Sequence, residues 1–270
     1  GAVTSSSGDV GGVVGNTAAL VSNCYNTGSV SCNSSNADTG GVAGYLGAGI
    51  TDSYNTGSVT ASQGVVGGIA GYGIGTIANC YNMGVITGGN QYIGGIAGNT
   101  TSVVISHCYN TGAINAADEN RVGGIAGMAR GTITYCNNSG SISANSNAGG
   151  IAGRSENTTV SNCYNTGLVD GESNYIGGIA GYASNTQLQY CYNAGTLRAD
   201  KYAGGIAGMM TSGTGVLCCY NIGPLSSENA GGISGEVHAN TTMNVCYSAG
   251  TVSGSDSGML IGDLDCNKTQ

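Results

Sequence analysis

Among the residues of this 270-residue chain that could do chemistry, cysteine (11) and tyrosine (16) stand out, because most of them fall in register. Cys24, Cys80, Cys108, Cys136, Cys163, Cys191, Cys219 and Cys246 form one column, with Ser53 filling its one other position. A thiolate contributed once per repeat along a line cannot close a tetrahedral metal site. Pairing within the column is also disfavoured. Residues stacked in register sit about 4.8 Å apart, whereas a relaxed disulfide wants its Cβ atoms roughly 3.5–4.5 Å apart. The column therefore reads as reduced, buried cysteine acting as a small apolar filler, a role Ser53 can share. Cys32, Cys218 and Cys266 lie off the column, and no role is assigned to them.

Immediately after the cysteine column comes a tyrosine column: Tyr25, Tyr54, Tyr81, Tyr109, Tyr164, Tyr192, Tyr220 and Tyr247. Strand alternation that turns Cys inward turns Tyr outward, so these eight residues predict an aromatic stripe, either a stiffening ladder or a ligand-facing surface for glycan or protein. The two histidines, His107 and His238, are about five repeats apart and assemble no Ser-His-Asp or Cys-His arrangement; both read as surface or corner residues. Carboxylates gather in one loop of the repeat, at Asp38, Asp118, Glu119, Glu172, Asp200, Glu228 and Asp256. They lack the Gly-Gly-x-Gly-x-Asp period of calcium β-rolls, so solvated charge that discourages edge-to-edge aggregation explains them better than weak calcium binding. The basic residues, Arg121, Arg130, Arg154, Arg198, Lys201 and Lys268, are too scattered to line a catalytic cleft. Gly71-Tyr72-Gly73-Ile74-Gly75 resembles a phosphate loop only in its glycines, because no helix follows it, and it reads as a turn. A threonine rank of the ice-binding kind is broken, since Thr27, Thr56, Thr111 and Thr166 share their column with Met83, Ala194 and Ile222. No catalytic residue, cofactor site or metal site is assigned.

The elements that would carry these columns follow from a second repeated string, Gly-Gly-Ile-Ala-Gly or a close variant. It starts at Gly11, Gly40, Gly67, Gly94, Gly123, Gly149, Gly177, Gly204 and Gly231, with a worn copy at Gly258. A period of 26–29 residues belongs to solenoids rather than to compact domains. Apolar residues recur three positions before the cysteine column (Val21, Ile50, Ile77, Ile105, Ile133, Val160, Leu188, Val216, Met243) and six after it (Val30, Val59, Ile86, Ile114, Ile142, Val169, Leu197, Leu225, Val252). Short aliphatic segments punctuated by Gly, Asn and Ser, without helical periodicity, predict an all-β fold. The expected architecture is a parallel, right-handed β-helix or solenoid of about ten coils with three short strands per coil, forming one domain over residues 1–270. At about 4.8 Å per coil the rod would be roughly 45 Å long. The glycines are expected to supply positive φ at corners and close approach between coils. The asparagines at 26, 55, 82, 110, 138, 165, 193 and 221 are expected to form a hydrogen-bonded ladder.

Composition narrows the partners. With 6 Lys and Arg against 14 Asp and Glu, the net charge is −8 and no basic stripe exists for a phosphate backbone, so nucleic acid is not an expected partner. No apolar run approaches the ~18 residues of a membrane helix, so no membrane insertion by this segment is expected. The register already running at Val10 suggests a piece of a longer chain with flanking domains.

The alternation of Gly-Gly-Ile-Ala-Gly with Cys-Tyr-Asn-x-Gly-x-Val over residues 10–262 resembles the GLUG repeat of bacterial surface proteins, adhesin-like chains and regions flanking immunoglobulin A1 peptidases. The resemblance implies a secreted or cell-surface bacterial protein and no catalytic residues; the His-Glu-x-x-His motif of the peptidases is absent. The expected function is a non-enzymatic extracellular structural or adhesive module, a rigid spacer or binding surface whose partner would be a host or matrix glycan or protein. The alternative is a polysaccharide-active β-helix enzyme or a carbohydrate-binding module.

Overall fold

A computed structural model describes residues 1–265. Its strand pairings are parallel and join each residue to its counterpart one repeat away: Tyr54 to Tyr81, Val59 to Ile86, Gly67 to Gly94, Ala70 to Ala97 and Ile77 to Ile105. The result is an all-β parallel solenoid of about ten turns with no helix among the described residues. Its three sheets contain 18, 9 and 17 strands.

Three faces agree with expectation; three strands per coil hold only in the middle. A typical coil contains five short strands: Val59–Ala61, Val65–Gly67, Ala70–Gly73, Thr76–Ala78 and Tyr81–Asn82. In two central coils the first two pairs fuse. The strands there are Ile114–Gly123, Ala126–Thr134 and Asn137–Asn138, then Ile142–Gly149, Ala152–Ser161 and Tyr164–Asn165. Elsewhere short loops interrupt the faces, several of them turning on a left-handed residue such as Gly64, Gly75, Ser102 or Asn185. Insertions fall at these breaks: the register between the two central coils slips between Ala116 and Asn120 and again between Ala129 and Gly131.

Two apolar cores run the length of the rod. One is built from the Ile of Gly-Gly-Ile-Ala-Gly, the Ala after it, the cysteine column and the aliphatic column three residues before it, for example Ile69, Ala70, Ile77 and Cys80. The other stacks the Val59, Ile86 and Ile114 column beside the residue preceding Gly-Gly, such as Val66, Ile93 and Val122. Each fully buried Ile contributes about 1.5–3 kcal/mol relative to exposure, and every coil adds several.

The seam between the cores is polar. The Nδ2 of each ladder asparagine donates to the Oδ1 of the next, from Asn26 to Asn55 and on through Asn82, Asn110, Asn138, Asn165, Asn193 and Asn221, at 2.8–2.9 Å. The same Nδ2 donates to the carbonyl two residues on, as Asn138 does to Gly140 at 2.9 Å. Both amide hydrogens are thus satisfied inside the protein, which burial demands.

This seam narrows the expected role of the consensus glycines to the close approach between coils. Gly67, Gly68, Gly123 and Gly124 do not have positive φ. They are required by contact: a Cβ on Gly124 would fall within 3.0 Å of the Gly150 carbonyl and the Asn138 side chain. The left-handed position lies elsewhere, one residue before the cysteine column. Asn23, Asp52, Asn79, His107, Tyr135, Asn162, Tyr190, Cys218 and Val245 all have φ between 51° and 55°. That column gives Cys218 a place, as an occupant of the corner. Cys32 is buried in the second core, and Cys266 lies outside the described residues.

Candidate functional site: the tyrosine ladder

The left-handed corner turns the chain so that the next three residues point inward, outward and inward. Cys and Asn of the interior Cys-Tyr-Asn triplets are buried and Tyr faces outward, as at Cys80, Tyr81 and Asn82. In-register pairing then stacks the tyrosines. Ring centroids in the run Tyr25, Tyr54, Tyr81, Tyr109 are 5.1, 4.9 and 4.9 Å apart, with planes within 6° of parallel. The run Tyr164, Tyr192, Tyr220, Tyr247 steps by 4.9, 5.0 and 5.1 Å. Asn137 separates the two runs, in register with Tyr109 on one side and Tyr164 on the other.

All eight tyrosines singled out in the sequence therefore share one outer face, in two stacks of four. Stacking has a chemical consequence. Each inner ring spends both π-faces on its neighbours, so along a stack only ring edges and hydroxyls meet solvent. Burial first, then the neighbouring phenols, raise the Tyr109 and Tyr192 hydroxyls above the ordinary range.

Other aromatic pairs had no column to announce them. Tyr45 stacks on Tyr72 at 5.3 Å, Tyr175 on Tyr202 at 5.3 Å and His107 on Tyr135 at 5.1 Å. Arg121 lies over Tyr92 and Arg154 over Tyr182, at 5.2 and 4.5 Å from the ring centroids. Register was the available signal: Tyr45 and Tyr72 occupy equivalent positions one repeat apart.

The remaining candidates do not converge. The ten described cysteines carry free thiols. The hydrogen bond with the adjacent thiol, then burial, push Cys80 and Cys219 far above the usual thiol range, and both are enclosed in the core. Arg130 and Arg154 both bind Glu156, at 2.8 and 2.6 Å, and hold its carboxyl low although burial works the other way. Arg198 pairs with Asp170 at 3.7 Å. Asp38 is pushed up to about 7 by burial and then by the charge of Asp9. Asp200, Glu228 and Asp256 stack on successive coils through backbone hydrogen bonds of 2.9 Å. Among the described residues no three His, Cys, Asp or Glu side chains come together as a metal site. His107 occupies a corner as expected. His238 does not sit at the surface: it is buried, with Nε2 2.9 Å from Glu236 Oε1. Gly75 has φ +87°, making the glycine-rich segment from Gly71 a strand and turn.

Columns of this kind define a class, the parallel β-solenoid repeat proteins. Within it, residues 144–170 match the family model described as "The GLUG motif". That segment is one coil, with Gly149-Gly-Ile-Ala-Gly and Cys163-Tyr-Asn inside it, and its columns recur along the rod. The chain thus carries a GLUG motif within its repeat array. No curated protein and no solved structure matches it.

Proposed function

We propose that the chain is a non-enzymatic extracellular module of a bacterial surface protein, a rigid rod that spaces other parts of a longer chain and offers its outer faces to host or matrix glycans or proteins. The observation that carries this reading is the unbroken asparagine seam from Asn26 to Asn221. It binds eight coils into one stiff unit and leaves the interior no room for a substrate. The polysaccharide-active alternative is less favoured. Its acids and bases would have to converge, whereas Arg130, Arg154 and Arg198 are held by Glu156 and Asp170.

Antiserum raised against residues 1–270 is expected to label intact cells of the producing organism, and brief protease treatment of those cells to remove the signal. Labelling that appears only after permeabilisation would defeat the proposal.

A further inference from the structure

The interruption of the tyrosine ladder at Asn137 is a gap with chemical content. Tyr109 and Tyr164 each have a neighbour on one side only. Their free π-faces look at each other across one missing rung. With a step of 4.9 Å on either side, the two centroids are about 10 Å apart. Elsewhere on the stripe ring faces are covered, so this is the one interior place where a flat apolar group could be held between two of them.

The floor and edges of the gap are hydrogen-bonding and uncharged. Asn137 and Asn138 are adjacent amides with opposite fates. Asn138 points inward and is bonded to Asn110, Asn165 and Gly140. Asn137 points outward, is half-exposed, and its carboxamide makes no hydrogen bond among the described residues. Its amide can donate and accept at neighbouring points on a ligand edge. Exposed hydroxyls of Thr111, Ser139 and Thr166 flank it on one side, and exposed His107, Tyr135 and Asn162 on the other.

We propose that this gap is a binding slot for one pyranose ring of a neutral glycan, clamped between the faces of Tyr109 and Tyr164 and hydrogen-bonded through vicinal hydroxyls to the Asn137 carboxamide. A pyranose presents C–H groups on its faces and hydroxyls at its rim, matching apolar walls and a polar floor together. An aromatic side chain of a protein partner would satisfy the walls and leave the amide idle. The absence of Lys, Arg, Asp and Glu from the flanking positions favours a neutral sugar over an acidic one. The slot depends on the geometry of the rod alone, so its failure would leave the spacer reading standing.

The test uses the 270-residue chain on an array of neutral oligosaccharides built from hexose and N-acetylhexosamine units, followed by titration of the strongest binder monitored by tyrosine fluorescence. Binding is expected for the parent chain. Asn137→Tyr, which fills the gap with the missing rung and keeps the fold, should weaken it by at least about tenfold. Tyr164→Ala should do the same by removing a wall. Tyr220→Ala, in the interior of the second stack, should change it by less than about twofold. No binding to any neutral glycan, binding only to aromatic peptides, or undiminished binding by Asn137→Tyr would each overturn the proposal.

Discussion

The inward asparagine column and the outward tyrosine column are adjacent residues of the same short strands, yet they obey different rules. At the central coil the outer column fails and the inner one continues: Asn137 replaces Tyr while Asn138 stays in the ladder. At the last coil of the series the reverse happens: Tyr247 remains stacked at 5.1 Å while Ser248 replaces Asn. The inner column is bound by polar satisfaction in a sealed interior. Loss of one member strands a buried donor below and takes a partner from the buried acceptor above. Loss of an outer member exposes two ring faces to solvent, a modest cost. A substitution inside the rod is tolerated near an end, whereas one outside it is tolerated anywhere and can acquire a use.

The largest effect should come from attacking the inner column through the glycine that packs on it. Gly124→Val would drive Cβ into the Gly150 carbonyl and the Asn138 side chain. It is expected to cost about 4 kcal/mol or more, because backbone on the next coil must move. Gly12→Val meets the equivalent Asn26 and Gly41 carbonyl, but a terminal coil can open locally without breaking the rest. Urea melts should place Gly124→Val well below Gly12→Val. Equal midpoints would mean that the seam does not transmit strain along the rod.

How far the sequence revealed this seam can be judged at Gly124 and Asn138. The period, the parallel stacking, the inward isoleucines and the asparagine ladder were all legible, because each is a column and columns survive one-dimensional reading. That glycine and asparagine pack against each other was not, since about 14 residues and a change of face separate them and only the closed coil brings them together. The left-handed corner was hidden for another reason. Residues as unlike as His107, Tyr135, Cys218 and Val245 occupy it, so tertiary context overrides local preference there. Five strands instead of three went unread because unlike residues occupy the breaks, Gly64 and Gly75 in one coil and Ser102, Tyr175 or Asn185 in others. The eight tyrosines of the stripe were legible; that stacking would cover their faces, leaving Asn137 as the opening, required the ring geometry.

Asn138→Ala removes the bonds to Asn110, Asn165 and Gly140, stranding one buried amide hydrogen of Asn110 and leaving Asn165 Oδ1 only the Gly167 N–H at 3.3 Å; about 2–5 kcal/mol should be lost. Tyr192→Ala, on the neighbouring outer column, removes stacking on Tyr164 and Tyr220 and should cost about 1 kcal/mol. Equal losses in chemical denaturation would erase the distinction between inner and outer rules.

Repairing the outer column should then stabilise. Asn137→Tyr would join the two stacks into a run of nine rings, adding contacts with Tyr109 and Tyr164 in place of an unbonded amide. The expected gain is about 0.5–1.5 kcal/mol, read as a higher urea midpoint. A loss would show that the central coil has no space for a ring and that the gap is closed.

The smallest effect tests the inner rule at the end where the ladder stops. Asn221 accepts from Asn193 at 2.8 Å and donates one amide hydrogen to Gly223 at 2.9 Å. Ser248 stands in register with it on the next coil, and the buried Ser248 hydroxyl finds no partner. Gly232 packs on the Ser248 side chain as Gly124 packs on Asn138, so the position already has the surroundings of a ladder asparagine. Ser248→Asn should extend the seam by one bond, for a gain of about 0.5–1.5 kcal/mol at most. Because a terminal coil opens before the whole rod does, the gain should be confined to that coil. Amide hydrogen exchange near Tyr247 and Gly250 should slow, while the exchange of amides around Asn82 stays as it was. Unchanged exchange at the last coil would mean that a ladder bond is worth little without a further coil above it, and that the inner column draws its strength from being enclosed on both sides.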